Sequence, residues 1–351
     1  MKKSVLGFVI DQWTVVPPVE TADLSGKTVL VVGANVGIGL EASKHFARMR
    51  PARLIIACRN EAKGKVALVE IERETKYNGC ELWIVDLANF ASVTAFADKF
   101  EREGGDLHIL VMNAGIVQPD YQLTTDGWES VLQVNHLATS LLSLLLIPRL
   151  IAAGKMSSTP SRIVIVSSGF HYWITPAEEV KASSKPLGML SSQEWCIPEH
   201  MQSRYHESKL LNVLFVRALT DRLQSVTPLS VVAVNPGFCH SQLLRVWSEG
   251  TFSFFKIALA IKKRLLAWTA EQGSRQLIFA AVGGRDNEET MKGGYVSLGR
   301  IEEVADFVLS DEGHKMQDTI WKETIDILTS VSDKIGQIVR DYLVVPDSSI
   351  N

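Results

Sequence analysis

Six short runs of apolar residues, many of them β-branched, recur along the first two thirds of the chain. Runs of this length, separated by stretches long enough for a helix, predict buried strands of a parallel sheet. The connections between parallel strands cross the sheet, so helices are expected on both of its faces. We therefore predict an α/β fold. The predicted strands are Thr28–Val32, Arg53–Cys58, Glu81–Val85, His108–Met112, Arg162–Ser167 and Leu229–Val234.

Helices are predicted at about 39–50, 61–76, 92–102, 127–150 and 202–224, with a break allowed near Pro148. Near the C-terminus, Trp321, Ile325, Leu328 and Ile335 recur at helical spacing, which predicts helices packed on the main body. We divide the chain into an N-terminal extension (1–25), a main domain (26–300) and a C-terminal helical extension (301–351).

The charge balance and the cysteines exclude several classes of protein. A formal net charge of −3 over 351 residues gives no basic surface for nucleic acid. The cysteines are scattered without a CxxC pair, so we expect neither a disulfide framework nor a metal centre. They indicate reduced thiols of a cytoplasmic protein. The four are Cys58, Cys80, Cys196 and Cys239.

The apolar run at 5–10 resembles a signal peptide only faintly, because it ends at Asp11 and no small-residue cleavage site follows. No stretch approaches the roughly 20 apolar residues of a membrane-spanning helix. The longest, Leu137–Ile147, contains Thr139 and two serines and is better interpreted as a buried helix.

A glycine-rich turn connects the first predicted strand to its helix. Its glycines, Gly33, Gly37 and Gly39, let the backbone turn tightly and approach a pyrophosphate, while the helix N-terminus offers free N–H groups. The alternative is a plain glycine turn, because the spacing G-x-x-x-G-x-G is not the standard fingerprint. The strand-turn-helix context favours dinucleotide binding.

The end of the second strand bears on the choice of dinucleotide. NAD-binding sheets usually place a carboxylate there, but this chain has Arg59, and no acid occurs before Glu61. An arginine pairs with a 2′-phosphate in a fork geometry, so we favour NADP(H) over NAD(H). A solvated surface arginine is the alternative. Asp86, after the third strand, is expected either to accept from an adenine amino group or to cap the next helix.

Tyr205 and Lys209 share one face at the start of a predicted helix. An ammonium close to a phenol lowers the pKa of the phenol, so this pair can move a proton near neutral pH. The spacing alone also occurs by chance in surface pairs. Ser168 and Asn235 follow two other strands and should lie on the same rim, because ligands bind beyond the carboxyl ends of parallel strands.

Together these residues resemble the short-chain dehydrogenase/reductase family. The resemblance covers about residues 24–300 and also includes Asn135. It implies a Rossmann-type doubly wound sheet. It further implies that Tyr205 donates or accepts the proton, that Lys209 holds the nicotinamide ribose, that Ser168 orients the substrate carbonyl, and that Asn135 keeps a water-linked proton path in place. Ser168 is preferred over Ser167 by position in the motif.

The cofactor contacts expected on this basis are Gly33, Asn35, Gly37, Ile38, Gly39, Arg59, Asp86, Leu87, Asn113, Ala114, Gly115, Tyr205, Lys209, Pro236, Gly237 and Ser241. The chain departs from the family pattern at Val32, where a threonine is usual, and at Met112, where a second asparagine is usual. Within the family, 57–60 looks like the retinol dehydrogenase and WW-domain oxidoreductase branch. The opening, 12–18, looks like fungal members that act on specialised metabolites.

Two aromatic-rich segments, 171–204 and 238–270, are expected to shape the substrate pocket. For most of their aromatic residues, packing against the sheet is the alternative. Residues 254–268 predict either a lid helix, which we favour, or a basic amphipathic helix in peripheral contact with a membrane, such as that of the endoplasmic reticulum.

The predicted activity is interconversion of a ketone or aldehyde with an alcohol on an apolar, ring-containing substrate. The competing hypothesis is a non-catalytic dinucleotide-binding redox sensor or scaffold, against which the intact Ser168, Tyr205 and Lys209 set argues. The protein is expected to be a monomer or a homodimer. Family members often pair long helices between subunits, and the C-terminal extension would block such pairing.

Overall fold

Eight strands form one sheet in the computed structural model, which describes residues 3–224, 226–240 and 266–344. The strand order is β3-β2-β1-β4-β5-β6-β7-β8, parallel throughout except that β8 runs antiparallel to β7. The strands are β1 Thr28–Val32, β2 Arg53–Cys58, β3 Cys80–Ile84, β4 Ile109–Met112, β5 Ser161–Val166, β6 Leu229–Val234, β7 Tyr295–Ser297 and β8 Arg300–Glu302.

This sheet confirms the predicted α/β, Rossmann-type doubly wound fold. The order reverses between β1 and β4, and a crevice opens beyond the strand ends at such a reversal. Both faces are buried: Val29 and Val31 pack into the core on one side, and Leu30 and Val32 into the core on the other. Side chains alternate along a strand, so an entirely apolar strand requires cover on both faces.

Helices cover both faces of the sheet. They are α1 Val5–Trp13, α2 Gly37–Arg48, α3 Glu61–Thr75, α4 Phe90–Lys99, α5 Ser130–Met156, α6 Glu178–Ala182, α7 Pro186–Ser191, α8 Pro198–Met201, α9 Arg204–Arg222, α10 Ala270–Val282, α11 Glu288–Met291, α12 Asp306–Leu309, α13 Asp311–Val331 and α14 Asp333–Tyr342.

The long helix α5 differs from its prediction, because it runs through Pro148 to Met156 without a break. A π turn at Gln133–Leu137 interrupts it instead. By length and composition α5 is apolar enough to cross a membrane, but 78% of its most apolar window is buried inside the fold. It is the core helix that the sequence predicted.

The two ends of the chain both pack on the domain. The C-terminal helices were predicted: α13 packs on α9, where Trp321 stacks on Phe215 with ring centroids 5.9 Å apart, and α14 packs on α5. No element was assigned to the N-terminal extension from the sequence. In the structure it contains α1, which Ser4 caps by accepting from the Gly7 N–H. Tertiary contacts stabilise this helix, because nine residues are too few to be helical alone.

Candidate active site

A cavity of about 910 Å³ opens along the carboxyl ends of β1, β2, β4, β5 and β6. Its lining includes most of the predicted contacts: Gly33, Asn35, Gly37, Ile38, Arg59, Asp86, Leu87, Asn113, Ala114, Gly115, Ser168, Tyr205, Lys209, Pro236 and Gly237. Gly39 and Asn135 are buried and are not part of this lining. Ser241 and the aromatic residues of 243–255 lie outside the described residues.

At two of its three glycines, Gly33 and Gly39, the turn has no room for a side chain. At Gly33 (φ +86°) a Cβ would lie 2.7 Å from the Ala114 Cα, and at Gly39 it would lie 2.3 Å from the Gly33 carbonyl oxygen. The Asn113 Nδ2 donates to that same carbonyl at 2.9 Å. At Gly37 (φ +60°) a Cβ would meet no atom within 4 Å, because this residue faces open space at the start of α2.

The start of α2 is left open to the cavity. Its N-cap, Val36, makes no side-chain hydrogen bond, so the first N–H groups of the helix have no cap. Free N–H groups beside a backbone without Cβ atoms are the features that a pyrophosphate needs. The residues present therefore fit a dinucleotide.

The end of β2 presents Arg59, which is exposed and makes no hydrogen bond or ion pair within the described residues. Glu61, the nearest acid after it, pairs with Lys65 at 2.7 Å. The Asp86 Oδ1 accepts from the Ala88 N–H at 3.0 Å, and Asn89 caps α4. Asp86 is therefore not the helix cap, and it remains available to a ligand.

Tyr205 and Lys209 come together in the first turns of α9. The Lys209 Nζ donates to the Val166 carbonyl at 2.8 Å and lies 5.4 Å from the centroid of the Tyr205 ring. Burial lowers the pKa of Lys209 to about 8. Burial also raises the pKa of Tyr205, whereas the sequence predicted a lowered value. Desolvation of the phenolate outweighs the nearby ammonium, so Tyr205 holds its proton.

A buried ion network fixes the start of α9. The guanidinium of Arg204, which directly precedes Tyr205, donates to Glu207 at 2.8 Å and to the Leu190 carbonyl at 2.6 Å. Burial raises the pKa of Glu207, whereas the positive charge of Arg204 opposes that rise. This network was not predicted, because no local sequence pattern shows which charges will be buried together.

The two serines at the end of β5 divide their roles. Ser167 is buried, and its hydroxyl donates to the Lys209 carbonyl at 2.8 Å. Ser168 is partly exposed to the cavity and begins the 3₁₀ turn Gly169–Trp173. Since the Ser167 hydroxyl is already bonded, Ser168 is the serine that has access to a substrate.

Asn135 lies in the π turn of α5. Its Nδ2 donates to the Ile116 carbonyl and to the Ser208 hydroxyl, both at 3.0 Å, and its Oδ1 accepts from the Ile116 N–H at 2.8 Å. The widened π turn places this side chain between the end of β4 and α9. Asn135 therefore connects the segment after Gly115 to the helix that carries Tyr205.

The predicted substrate segments reach the cavity in part. Trp173, Phe238 and Trp268 line it, as do Phe170 and, from α1, Phe8 and Gln12. In contrast, Trp195 stacks on His200 with centroids 4.1 Å apart, as packing rather than pocket lining. Phe8, Gln12 and Phe170 were not predicted to line the cavity. For α1, the sequence carries one weak signal of a packed segment, an apolar run that ends in Asp11-Gln12.

The short chain dehydrogenase family matches residues 27–185. The chain is 37% identical over 300 residues to short chain dehydrogenase sol3 of Alternaria solani, an alignment that covers 85% of this chain and 99% of that protein. The chain belongs to the short-chain dehydrogenase/reductase family. It is thus an oxidoreductase that binds a nicotinamide dinucleotide.

Other members of the family show the same likeness. Human retinol dehydrogenase 12 is 41% identical over 225 residues, covering 63% of this chain and 64% of that protein. The solved structure of an uncharacterized protein from Mycobacterium paratuberculosis superposes with a TM-score of 0.63 at 27% identity, covering 89% of this chain and 98% of that one. The predicted family, with its fungal and retinol dehydrogenase relatives, is confirmed.

Proposed function

We propose that this short-chain dehydrogenase/reductase interconverts a ketone or aldehyde with an alcohol on an apolar, ring-containing substrate, using NADP(H). The observation that carries the proposal is the position of Ser168, Tyr205 and Lys209 on the wall of one cavity that also contains the glycine turn. When bound, the nicotinamide supplies or accepts a hydride.

In this proposal each side chain has a distinct role. The Tyr205 hydroxyl holds the proton that is given to the substrate oxygen in reduction and returned in oxidation. The Ser168 hydroxyl donates to the same oxygen and orients it. Lys209 is buried with a positive charge close to the tyrosine, where it stabilises the phenolate that forms when the proton leaves. Asn135 fixes the backbone at Ile116 and the Ser208 hydroxyl, and so supports a proton path.

The preference for NADP(H) rests on Arg59. Among the described residues its exposed guanidinium pairs with no carboxylate, and it lines the cavity together with Lys63. Two positive charges without a carboxylate at the end of β2 favour a 2′-phosphate. NAD(H) is the alternative.

Location and assembly follow from the helices and thiols. All four cysteines are free and buried, which supports a cytoplasmic location. Helices α13 and α14 cover α9 and α5, so we propose a monomer, with the homodimer as the alternative. The resemblance of residues 12–18 to fungal members that act on specialised metabolites is the basis for proposing a role in fungal specialised metabolism. A membrane contact through 254–268 falls mainly on residues outside the described ones.

The decisive experiment follows NADPH absorbance with a panel of apolar ketones and quinones. Reduction of at least one of them, lost in Tyr205→Phe, supports the enzyme. If Tyr205→Phe matches the wild type, the assignment of the proton donor fails. If the wild type binds NADPH but turns over none of the panel, the non-catalytic redox sensor or scaffold becomes the better hypothesis.

A further inference from the structure

The N-terminal helix α1 contacts the aromatic end of the cavity. Phe8, Asp11 and Gln12 of the helix line that cavity, as does Lys3 just before it. The opposite side of the helix is apolar but faces outward: Leu6 is 68% exposed and Ile10 55% exposed. Only the inward side of α1 is therefore in a position to act on a ligand.

Gln12 anchors the helix through its carboxamide. Its Nε2 donates to the Phe238 carbonyl at 3.0 Å and the Leu266 carbonyl at 2.9 Å, and its Oε1 accepts from the Phe238 N–H at 3.0 Å. The Trp268 indole N–H donates to the Gln12 carbonyl at 2.8 Å. With both amide hydrogens and the oxygen paired in a buried site, each alternative side chain leaves partners unsatisfied.

Phe8 completes a chain of aromatic rings that starts at the proton donor. The Phe170 ring lies edge-on to Tyr205 with centroids 5.9 Å apart, and Trp173 lies edge-on to Phe170 at 5.6 Å. Phe8 lies edge-on to Trp173 at 5.3 Å and tilted to Phe238 at 6.4 Å. This chain extends the wall beside Tyr205 for the length of a substrate with more than one ring.

Polar contacts fix the outer end of this wall. The Trp173 indole N–H donates to the Lys3 carbonyl at 2.6 Å, and the Lys3 ammonium pairs with Asp11. The same ammonium lies 5.4 Å from the centroid of the Tyr172 ring. The N-terminal end of α1 is thus held against the 3₁₀ turn that carries Trp173, while Gln12 near its C-terminal end is bonded to Phe238.

From these contacts we infer that α1 is the outer wall of the substrate compartment, that Phe8 is a specificity-determining residue for two-ring aryl carbonyl substrates, and that Gln12 is the positioning residue that holds Phe8 in place. The inference rests on the proposed function and adds the substrate class and its determinant. The helix has no role in the proton transfer itself.

The test compares a bicyclic ketone, 1-tetralone, with a monocyclic one, cyclohexanone. In Phe8→Ala, loss of one edge-to-face contact should raise the KM for 1-tetralone about tenfold, and leave the KM for cyclohexanone and both kcat values within about twofold. The matched controls are Leu6→Ala and Ile10→Ala, which truncate apolar side chains on the outward side of the same helix. They should leave both ketones unchanged.

Gln12→Glu gives a second readout that a general loss of stability would not produce. At pH 8 the introduced carboxylate faces the Phe238 and Leu266 carbonyls without a donor, so the KM for 1-tetralone should rise as in Phe8→Ala. As the pH falls towards 6 the carboxyl gains a proton and donates to one of the two carbonyls, so the KM should recover in part while kcat follows the wild-type profile. A KM that does not change with pH contradicts the role assigned to Gln12.

Calorimetric binding of each ketone in the presence of NADP+ separates this inference from the proposed function, because no reduction occurs in that complex. If the wild type binds 1-tetralone but does not turn it over, the proposed chemistry is wrong. The role of α1 is then still tested by the Kd values of the same variants. The inference is overturned if Phe8→Ala binds 1-tetralone like the wild type, if the outward controls lose as much, or if the wild type binds no 1-tetralone.

Discussion

The two halves of the cavity are built in different ways. The cofactor half consists mainly of backbone: a glycine turn, an uncapped helix start and strand ends that lie within about 90 residues of one another in the sequence. The substrate half consists of side chains from α1, the 170–173 turn, Phe238 and Trp268, which are more than two hundred residues apart at the extremes. Tyr205 and Lys209 lie where the halves meet. We therefore expect the cofactor half to tolerate few substitutions that move its backbone. The side chains of the substrate half can be exchanged without moving the backbone.

The largest effect is expected at the junction. Tyr205→Phe should lower kcat about a thousandfold or more, because a general acid typically contributes two to four orders of magnitude. NADPH binding, measured by fluorescence titration, should stay within about twofold, because the phenyl ring remains. Tyr121→Phe is the control, since its hydroxyl bonds to the Ser191 carbonyl away from the cavity. A comparable loss in Tyr121→Phe would show that the effect is structural.

The backbone character of the cofactor half is tested by Gly39→Ala. Its Cβ would lie 2.3 Å from the Gly33 carbonyl oxygen, so the turn must shift. We expect the Kd for NADPH to rise about a hundredfold. The free energy of unfolding, measured without ligand, should fall by about 1–3 kcal/mol. Gly336→Ala in α14, where the nearest atom would be 3.5 Å away, should leave the Kd for NADPH unchanged and should not lower stability, because alanine favours a helix. Unchanged NADPH binding in Gly39→Ala would mean that the turn is only structural.

Lys209 is needed for the proposed reaction, but its buried charge destabilises the folded protein. Its pKa is lowered to about 8 from 10.5, so the unfolded chain binds more protons between those values and stability rises with pH across that window. Below pH 8 the buried charge is a constant cost. Lys209→Met should therefore be inactive yet more stable at pH 7 by about 2 kcal/mol, a gain that shrinks towards pH 10. Chemical denaturation at several pH values measures this, and a gain that is constant with pH would contradict it.

The smallest effect is expected at the cavity edge. Arg59→Leu should lower the preference for NADPH over NADH about tenfold, measured as the ratio of kcat/KM values, because one charge-assisted contact with a phosphate is lost. Arg73→Leu removes another exposed arginine, one that pairs with Glu74 on α3, and is the charge-matched control. An unchanged ratio in Arg59→Leu would assign the choice of cofactor to other residues.

Much of the fold was predictable from local patterns. The bounds of β1, β2 and β6 were predicted correctly, because buried strands of five or six apolar residues between polar ends are distinctive. Strands β7 and β8 were not predicted, since three residues carry too little periodicity. The break allowed near Pro148 does not occur: the helix continues through Pro148 to Met156, where α5 packs against the sheet and α14.

The site residues Gly33, Ser168, Tyr205 and Lys209 follow from the sequence, because each motif needs its residue types at fixed spacing beside a strand end. The direction of the Tyr205 pKa did not follow, since it depends on how completely the phenol is buried. Nor did the place of α1, because its weak signal, an apolar run that ends in Asp11-Gln12, does not show which part of the fold the helix packs against. Only the tertiary structure decides this, because hydrogen bonds such as those from Gln12 to residues more than two hundred positions away exist only after the sheet has brought both segments together.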